Sequence, residues 1–376
     1  MSGFGAVLIA SLLIAASAPV RADTLAAAAP RAACENPRIG FMGPITGDAA
    51  FIGKEQLGFA KYAIRKLGRG KVKLIEGDTQ LRPARAATVG TTLHANPGVL
   101  AVVGPAGSQE VLAVARIFKQ TNRLPFVSGS AVDASLTNGS IPNFFRVVPN
   151  DSVQSPTIAK YIRLVLKAKH VIIVDDGTAY SRRLANGVRL DLKTGAVRVT
   201  QASVAQKTTD FSKFVTTIGS DIDVVFLPWQ IAASAQLFGQ ELRAQGKKAI
   251  VFGSDTLDSG DFTLAGSYVS SFAPDIRRIK GNAAFIKGYG ATLVSNFGPP
   301  VYVATQAAIA AILKACADGD ATRAEVQKNL KATFIPKIVL GGNLRFTARG
   351  DRKGASFSIF KLEAGGKKTM VGLEGA

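Results

Sequence analysis

Two stretches of this chain place groups of opposite chemistry at the ends of hydrophobic runs. Val102-Val103-Gly104-Pro105-Ala106-Gly107-Ser108 follows one β-type run, and Val251-Phe252-Gly253-Ser254-Asp255-Thr256-Leu257-Asp258 follows another. Ser108 opens a segment with helical spacing, so it presents a hydroxyl beside free backbone N–H groups, a combination that suits an anion. Asp255 offers a carboxylate to a cation. One small molecule carries both complements, an amino-acid zwitterion, provided the two strand ends face each other across a cleft.

The elements that must build that cleft alternate along the chain. Residues 38–42, 72–76, 99–103 and 125–128 read as strands. Between them, Leu57, Ala60, Ile64 and Leu67, and then Val111, Val114, Ala115 and Phe118, keep the spacing of one helical face. A second series follows residues 145–149. It has strands at 170–174, 224–227 and 249–253, and helices marked by Ile158, Ile162 and Val165, by Phe211, Phe214, Val215 and Ile218, and by Ala235, Phe238 and Leu242. Repeated βα order implies parallel sheets with helices on both faces. The expectation is two doubly wound α/β lobes, with ligand chemistry at the carboxyl ends of the strands. The last third reads as one long helix at 304–317, an apolar stretch at 337–340 and a hairpin-like end at 356–362.

Composition narrows the class. The 376 residues exceed one compact core, and 47% hydrophobic with 19% charged residues describes a globular protein. The apolar run at 6–17, followed by Val20-Arg21-Ala22, reads as an export signal. No later run reaches the ~20 apolar residues of a spanning helix, so the exported chain is expected to be soluble. The net charge is +20, but Lys and Arg are dispersed without interleaved aromatics. That is a basic solvated surface and not a nucleic-acid site. Cys34 and Cys316 are the two cysteines; in an exported protein they can pair, which sequence does not decide.

Catalytic and metal patterns are missing. His94 and His170 have no ligand partners at metal spacing. There is no G-x-S-x-G elbow. The Gly47-to-Glu55 stretch has one residue too many for a phosphate loop and Glu where Ser or Thr is needed. The expectation is a binding protein with no cofactor and no enzymatic activity.

Several motifs, taken in order, resemble one family: Gly43-Pro44-Ile45-Thr46-Gly47, Val102-Val103-Gly104-Pro105 with Ser108, Ser128-Gly129-Ser130-Ala131 with Leu136-Thr137, Phe145-Arg146, Asp210-Phe211-Ser212, Gly253-Ser254-Asp255-Thr256-Leu257-Asp258, and Gly350-Asp351-Arg352 with Gly354. Over roughly 38–365 the chain resembles the periplasmic substrate-binding proteins of branched-chain amino-acid-type ABC transporters, the leucine/isoleucine/valine-binding family. The resemblance implies a type I periplasmic-binding fold, two lobes joined by three hinge crossings near Val148, Ala273 and Thr347. It divides the chain into a signal peptide (1–22), a lead-in (23–36), lobe 1 (37–147 and 274–346) and lobe 2 (148–273 and 347–376). It implies a periplasmic, monomeric receptor that passes a small amino acid or carboxylate to a permease in the inner membrane. A sensing receptor for amides or aromatic acids is the alternative.

By the same resemblance, Ser108 with the 128–132 segment, including Ser130 and Ala131, matches the carboxylate site. Tyr180 matches the second-lobe aromatic, and Asp255 the ammonium-binding acid. Pro228-Trp229-Gln230 stands where the family has Gly-Tyr, so Trp229 is read as an aromatic lid and Gln230 as a polar contact. Val132 and Ile52 also depart from the family pattern, which widens the ligand classes to aromatic acids, amides and urea-like molecules.

Overall fold

The computed structural model describes residues 1–3, 32–293 and 295–372. The export run at 6–17 and its cleavage site at 20–22 lie outside the described residues. Strands β1 (Arg38–Gly43), β2 (Lys73–Asp78), β3 (Val99–Val103), β4 (Phe126–Ser128) and β5 (Phe144–Arg146) form a parallel sheet in the order 2-1-3-4-5. A second sheet contains β6 (His170–Asp175), β7 (Arg198–Ser203), β8 (Val224–Leu227), β9 (Ile250–Gly253), β10 (Tyr268–Ser271), β11 (Ser358–Leu362) and β12 (Lys368–Val371), in the order 12-11-10-9-8-6-7. Strands β6 to β10 run parallel to one another, while β11 is antiparallel to both β10 and β12.

The central strands of both sheets are buried on both faces, which explains their unbroken apolar runs. In β6, Val171 and Ile173 face one core and Ile172 and Val174 the other. In β1, Ile39 and Phe41 face one core and Met42 the opposite one. This is the period-two alternation of a strand, with a covering layer on each side.

The chain passes between the sheets three times: after Arg146, after Ser271 and after Arg345. The second passage delivers helix Gly298–Ala315, which packs on helix Ala50–Leu67 and on the first sheet. This helix starts at Gly298 and not at 304 as its spacing indicates. Pro299 and Pro300 fill its first turn, where a missing N–H breaks no helical bond. With the turn after it, it forms a 21-residue segment, Gly298–Asp318, long and apolar enough to cross a membrane. The expectation that no run after the export signal reaches spanning length does not hold for this segment. Here it is a core helix of the first lobe, with most of its side chains buried.

Cys34 and Cys316 form a disulfide with a Cα–Cα distance of 5.6 Å, so the alternative that sequence left open is resolved. The bond ties the segment before β1 to the C-terminal end of helix Gly298–Ala315, within the first lobe.

Candidate ligand-binding site

In an open α/β sheet, ligands bind beyond the carboxyl ends of strands where the order reverses. The first sheet reverses between β1 and β3, and the second between β6 and β8. All the predicted site residues follow strand ends in these neighbourhoods. Gly104, directly after β3, has φ +106°, and a Cβ there would lie 2.1 Å from the Met42 carbonyl oxygen, so only glycine lets the chain turn toward Ser108 so close to β1.

On the first lobe, Ser108 is the first residue of helix Ser108–Phe118 and is buried. Its Oγ accepts the Asp133 N–H at 3.2 Å, which leaves its own O–H free to donate. Ser130 is more committed: its hydroxyl donates to the Ala106 carbonyl at 2.9 Å and accepts from Gln56 at 2.8 Å. The N–H groups of Ser130 and Ala131 both donate to Ser128 Oγ.

On the second lobe, Tyr180 and Asp255 meet. The Tyr180 hydroxyl donates to Asp255 Oδ1 at 2.6 Å, and Gln154 Nε2 donates to the same oxygen. Asp255 Oδ2 is buried and accepts no hydrogen bond. Burial pushes the Asp255 carboxyl up to about 6, against the pull of the Tyr180 and Gln154 donors. Tyr180 is pushed well above its ordinary range, first by burial and then by the Asp255 charge.

These walls enclose one small cavity of ≈ 20 Å³, lined by Ser108, Ser130 and Gly107 from the first lobe and by Tyr180, Gln230 and Thr256 from the second. Ile52, Leu81 and Phe297 supply its apolar side. That volume is about what one water needs, so the lobes stand closed. Contacts across the cleft hold them there. Gln109 Nε2 donates to Gln230 Oε1 at 3.2 Å, and within the second lobe Gln206 reaches the same oxygen at 3.4 Å. Arg183, three residues after Tyr180, pairs across the cleft with Asp133 at 2.8 Å and within its own lobe with Asp151 at 2.9 Å. Outside the cavity a recess of ≈ 450 Å³ lies between the 47–49 and 80–82 loops and residues 206–209 and 231–237.

Ser108, Ser130, Tyr180 and Gln230 therefore converge on one cavity, with Asp255 behind Tyr180 and beside Thr256. Two expected residues do not line it. Trp229 is buried in the second lobe, where its indole N–H donates to the Val174 carbonyl at 2.6 Å and its ring packs on Phe211 and Phe238. It is a core residue and not a lid. Ala131 lies in the first-lobe core with its N–H taken by Ser128. Sequence reasoning missed Gln109, Gln154, Thr256 and Phe297. Gln109 and Thr256 adjoin residues already singled out, whereas Gln154, from helix Asp151–Lys160, and Phe297, just before helix Gly298–Ala315, arrive from distant parts of the sequence and carry no local signal.

The periplasmic binding protein family model matches residues 37–367. The chain belongs to the periplasmic binding protein family. The members of this family are solute-binding receptors, not enzymes. A Leu/Ile/Val-binding protein of Rhizobium johnstonii is 27% identical, covering 87% of this chain and 92% of its own length. An amino acid binding protein of Pseudomonas aeruginosa is 26% identical, covering 88% and 91%. A leucine binding protein from Thermotoga maritima shares the fold with a TM-score of 0.81 at 19% identity, over 89% of this chain and 98% of that one. A solute binding protein from R. palustris, solved with benzoate, gives 0.77 at 19% identity over 90% and 96%. Within the periplasmic binding protein fold, the two-lobed cavity described above occupies the position between the lobes.

Proposed function

We propose that this receptor captures a small amino acid between its lobes in the periplasm and delivers it to the inner-membrane permease of an ABC importer. The observation that carries the reading is Asp255 Oδ2, a buried carboxylate oxygen with no donor, directly behind the cavity wall formed by Tyr180 and Thr256. A ligand ammonium supplies the missing donor and opposite charge. Across the cavity, the Ser108 hydroxyl and the first N–H groups of its helix receive the ligand carboxylate. Binding selects the closed arrangement that the Gln109–Gln230 and Arg183–Asp133 contacts join. The names of the relatives, Leu/Ile/Val-binding and amino acid binding, support this class.

Titration calorimetry with leucine, isoleucine, valine and phenylalanine tests it. One amino acid should bind at one per chain, and Asp255→Asn should weaken it about ten- to over a hundredfold, the loss of a buried charge-assisted contact. Ser108→Ala should cost less, because backbone N–H groups remain. A second reading, an aromatic-acid receptor, is supported by the benzoate-bound neighbour. It predicts binding of benzoate and tolerance of Asn at 255.

A further inference from the structure

One buried ionisable group at the site has no role in that reading. Glu110 sits in the first turn of the Ser108 helix, fully buried. Its Oε2 accepts the Gly107 N–H at 2.8 Å, and Gly107 lines the cavity. Its Oε1 accepts no hydrogen bond. A negative charge here satisfies the helix dipole, but it stands behind the same N–H groups that a ligand carboxylate would use.

We propose that capture of a carboxylate ligand takes up one proton at Glu110. The inference rests on the receptor reading above, with the ligand carboxylate at the Ser108 helix start. Two carboxylates at one helix terminus, shielded from water, repel and so favour the protonated form of the inner one. Protonated Glu110 still accepts the Gly107 N–H through its carbonyl oxygen and leaves the dipole to the ligand. The proton comes from solvent and stays on the carboxyl while the ligand is held.

The surroundings favour this exchange near neutral pH. Burial pushes the Glu110 carboxyl up to about 7. The nearby Thr79 hydroxyl, outside hydrogen-bonding geometry, and the Gly107 N–H oppose that rise, and the Asp78 charge adds to it. Asp78, at the end of β2, is itself held by donors from Ile45, Thr46 and Gln80. The helix Pro83–Ala95 packed alongside carries Arg85 and His94, with Arg82 at its cap. The 128–137 segment brings Asp133, helix Ala179–Lys193 brings Arg182 and Arg183, and Glu110's own helix carries Arg116. Among the described residues none of these cations donates a hydrogen bond to Glu110.

The test is calorimetry with benzoate and L-leucine at pH 7.5 in two buffers, phosphate and Tris, whose ionisation heats differ. The expected result is a buffer-dependent heat that reports uptake of a fraction of a proton. Benzoate affinity should fall as pH rises from 6 to 8.5, by up to about tenfold for each unit by which the ligand raises the Glu110 pKa. Glu110→Gln should bind benzoate with no such slope. Leucine adds a second, opposite loss below about pH 6 as Asp255 protonates. Carboxyl-carbon NMR of the wild-type protein, with and without ligand, reads the Glu110 titration directly should the variant fail to fold. Binding with buffer-independent heat, or an unmoved Glu110 titration, overturns the inference and leaves the receptor reading standing. Absence of binding by both probes and by the amino-acid panel overturns the receptor reading, and the inference with it.

Discussion

Gln109 and Gln230 hydrogen-bond across the cleft, 3.2 Å from the Gln109 amide nitrogen to the Gln230 amide oxygen. One belongs to the helix that starts at Ser108 and the other follows β8, so their bond exists only when the lobes are closed. Gln109→Ala should therefore leave folding intact and speed ligand release. A neutral hydrogen bond contributes about 0.5–1.5 kcal/mol, so a roughly two- to tenfold faster off-rate is expected, with little change in on-rate. Stopped-flow dissociation measures it. An unchanged off-rate in both Gln109→Ala and Gln230→Ala would mean that the pair does not hold the closed state.

Arg183 joins the lobes near the hinge through Asp133, and also pairs with Asp151 of its own lobe. Arg183 is partly exposed, so the pair is screened by salt and is modest in strength. Arg183→Gln should weaken ligand binding by a few fold at low ionic strength, with the deficit shrinking toward 1 M salt. A deficit independent of salt would assign Arg183 a packing role instead.

Asp255 predicts a pH dependence of stability in the ligand-free protein. Its folded pKa, about 6, lies above the ordinary carboxylate value, so the folded state binds the proton more tightly than the unfolded one. By this group alone, stability rises as pH falls from about 7 toward 4, and the ionised form is disfavoured above that window. Asp255→Asn should raise the pH 7.5 stability by on the order of 1–3 kcal/mol and flatten this part of the profile. Chemical denaturation at pH 5 and 7.5 compares the two proteins; a variant less stable at pH 7.5 would show that the ionised carboxylate is stabilising.

Trp229 is 2% exposed and bonded through its indole nitrogen to Val174. Its emission should be blue-shifted and poorly quenched by acrylamide, with only a small change on ligand addition. Trp229→Ala should cost about 3–5 kcal/mol of stability. Strong acrylamide quenching in the ligand-free protein would place the ring at the cleft after all.

The Cys34–Cys316 disulfide closes a loop across 282 residues. Unfolded, unreduced protein should show no reactive thiol, and a Cys34→Ser, Cys316→Ser double variant should lose roughly 2–5 kcal/mol. Thiol labelling together with denaturant melts checks both statements.

The alternation of apolar strands with amphipathic helices determined the doubly wound lobes by itself, because burial on both sheet faces imposes continuous hydrophobic strands and short polar spacers on any such chain. The same logic singled out Ser108 and Asp255, since strand ends are where backbone groups and short polar side chains emerge, whereas Tyr180 and Gln230 came from the family resemblance. What sequence could not decide was direction. Trp229 follows a strand end as Gln230 does, yet one position of rotation turns its ring into the core and the neighbouring amide into the cleft. The orientation of Ala131 was equally hidden, because the Ser128 hydroxyl gathers the N–H groups of that turn. Groups delivered from far along the chain, such as Gln154 to Asp255 or Cys316 to Cys34, depend on how three crossings return the chain between lobes. Glu110 reads locally as an ordinary residue of a helix first turn. Only packing in three dimensions removes it from water and sets it behind the cavity wall.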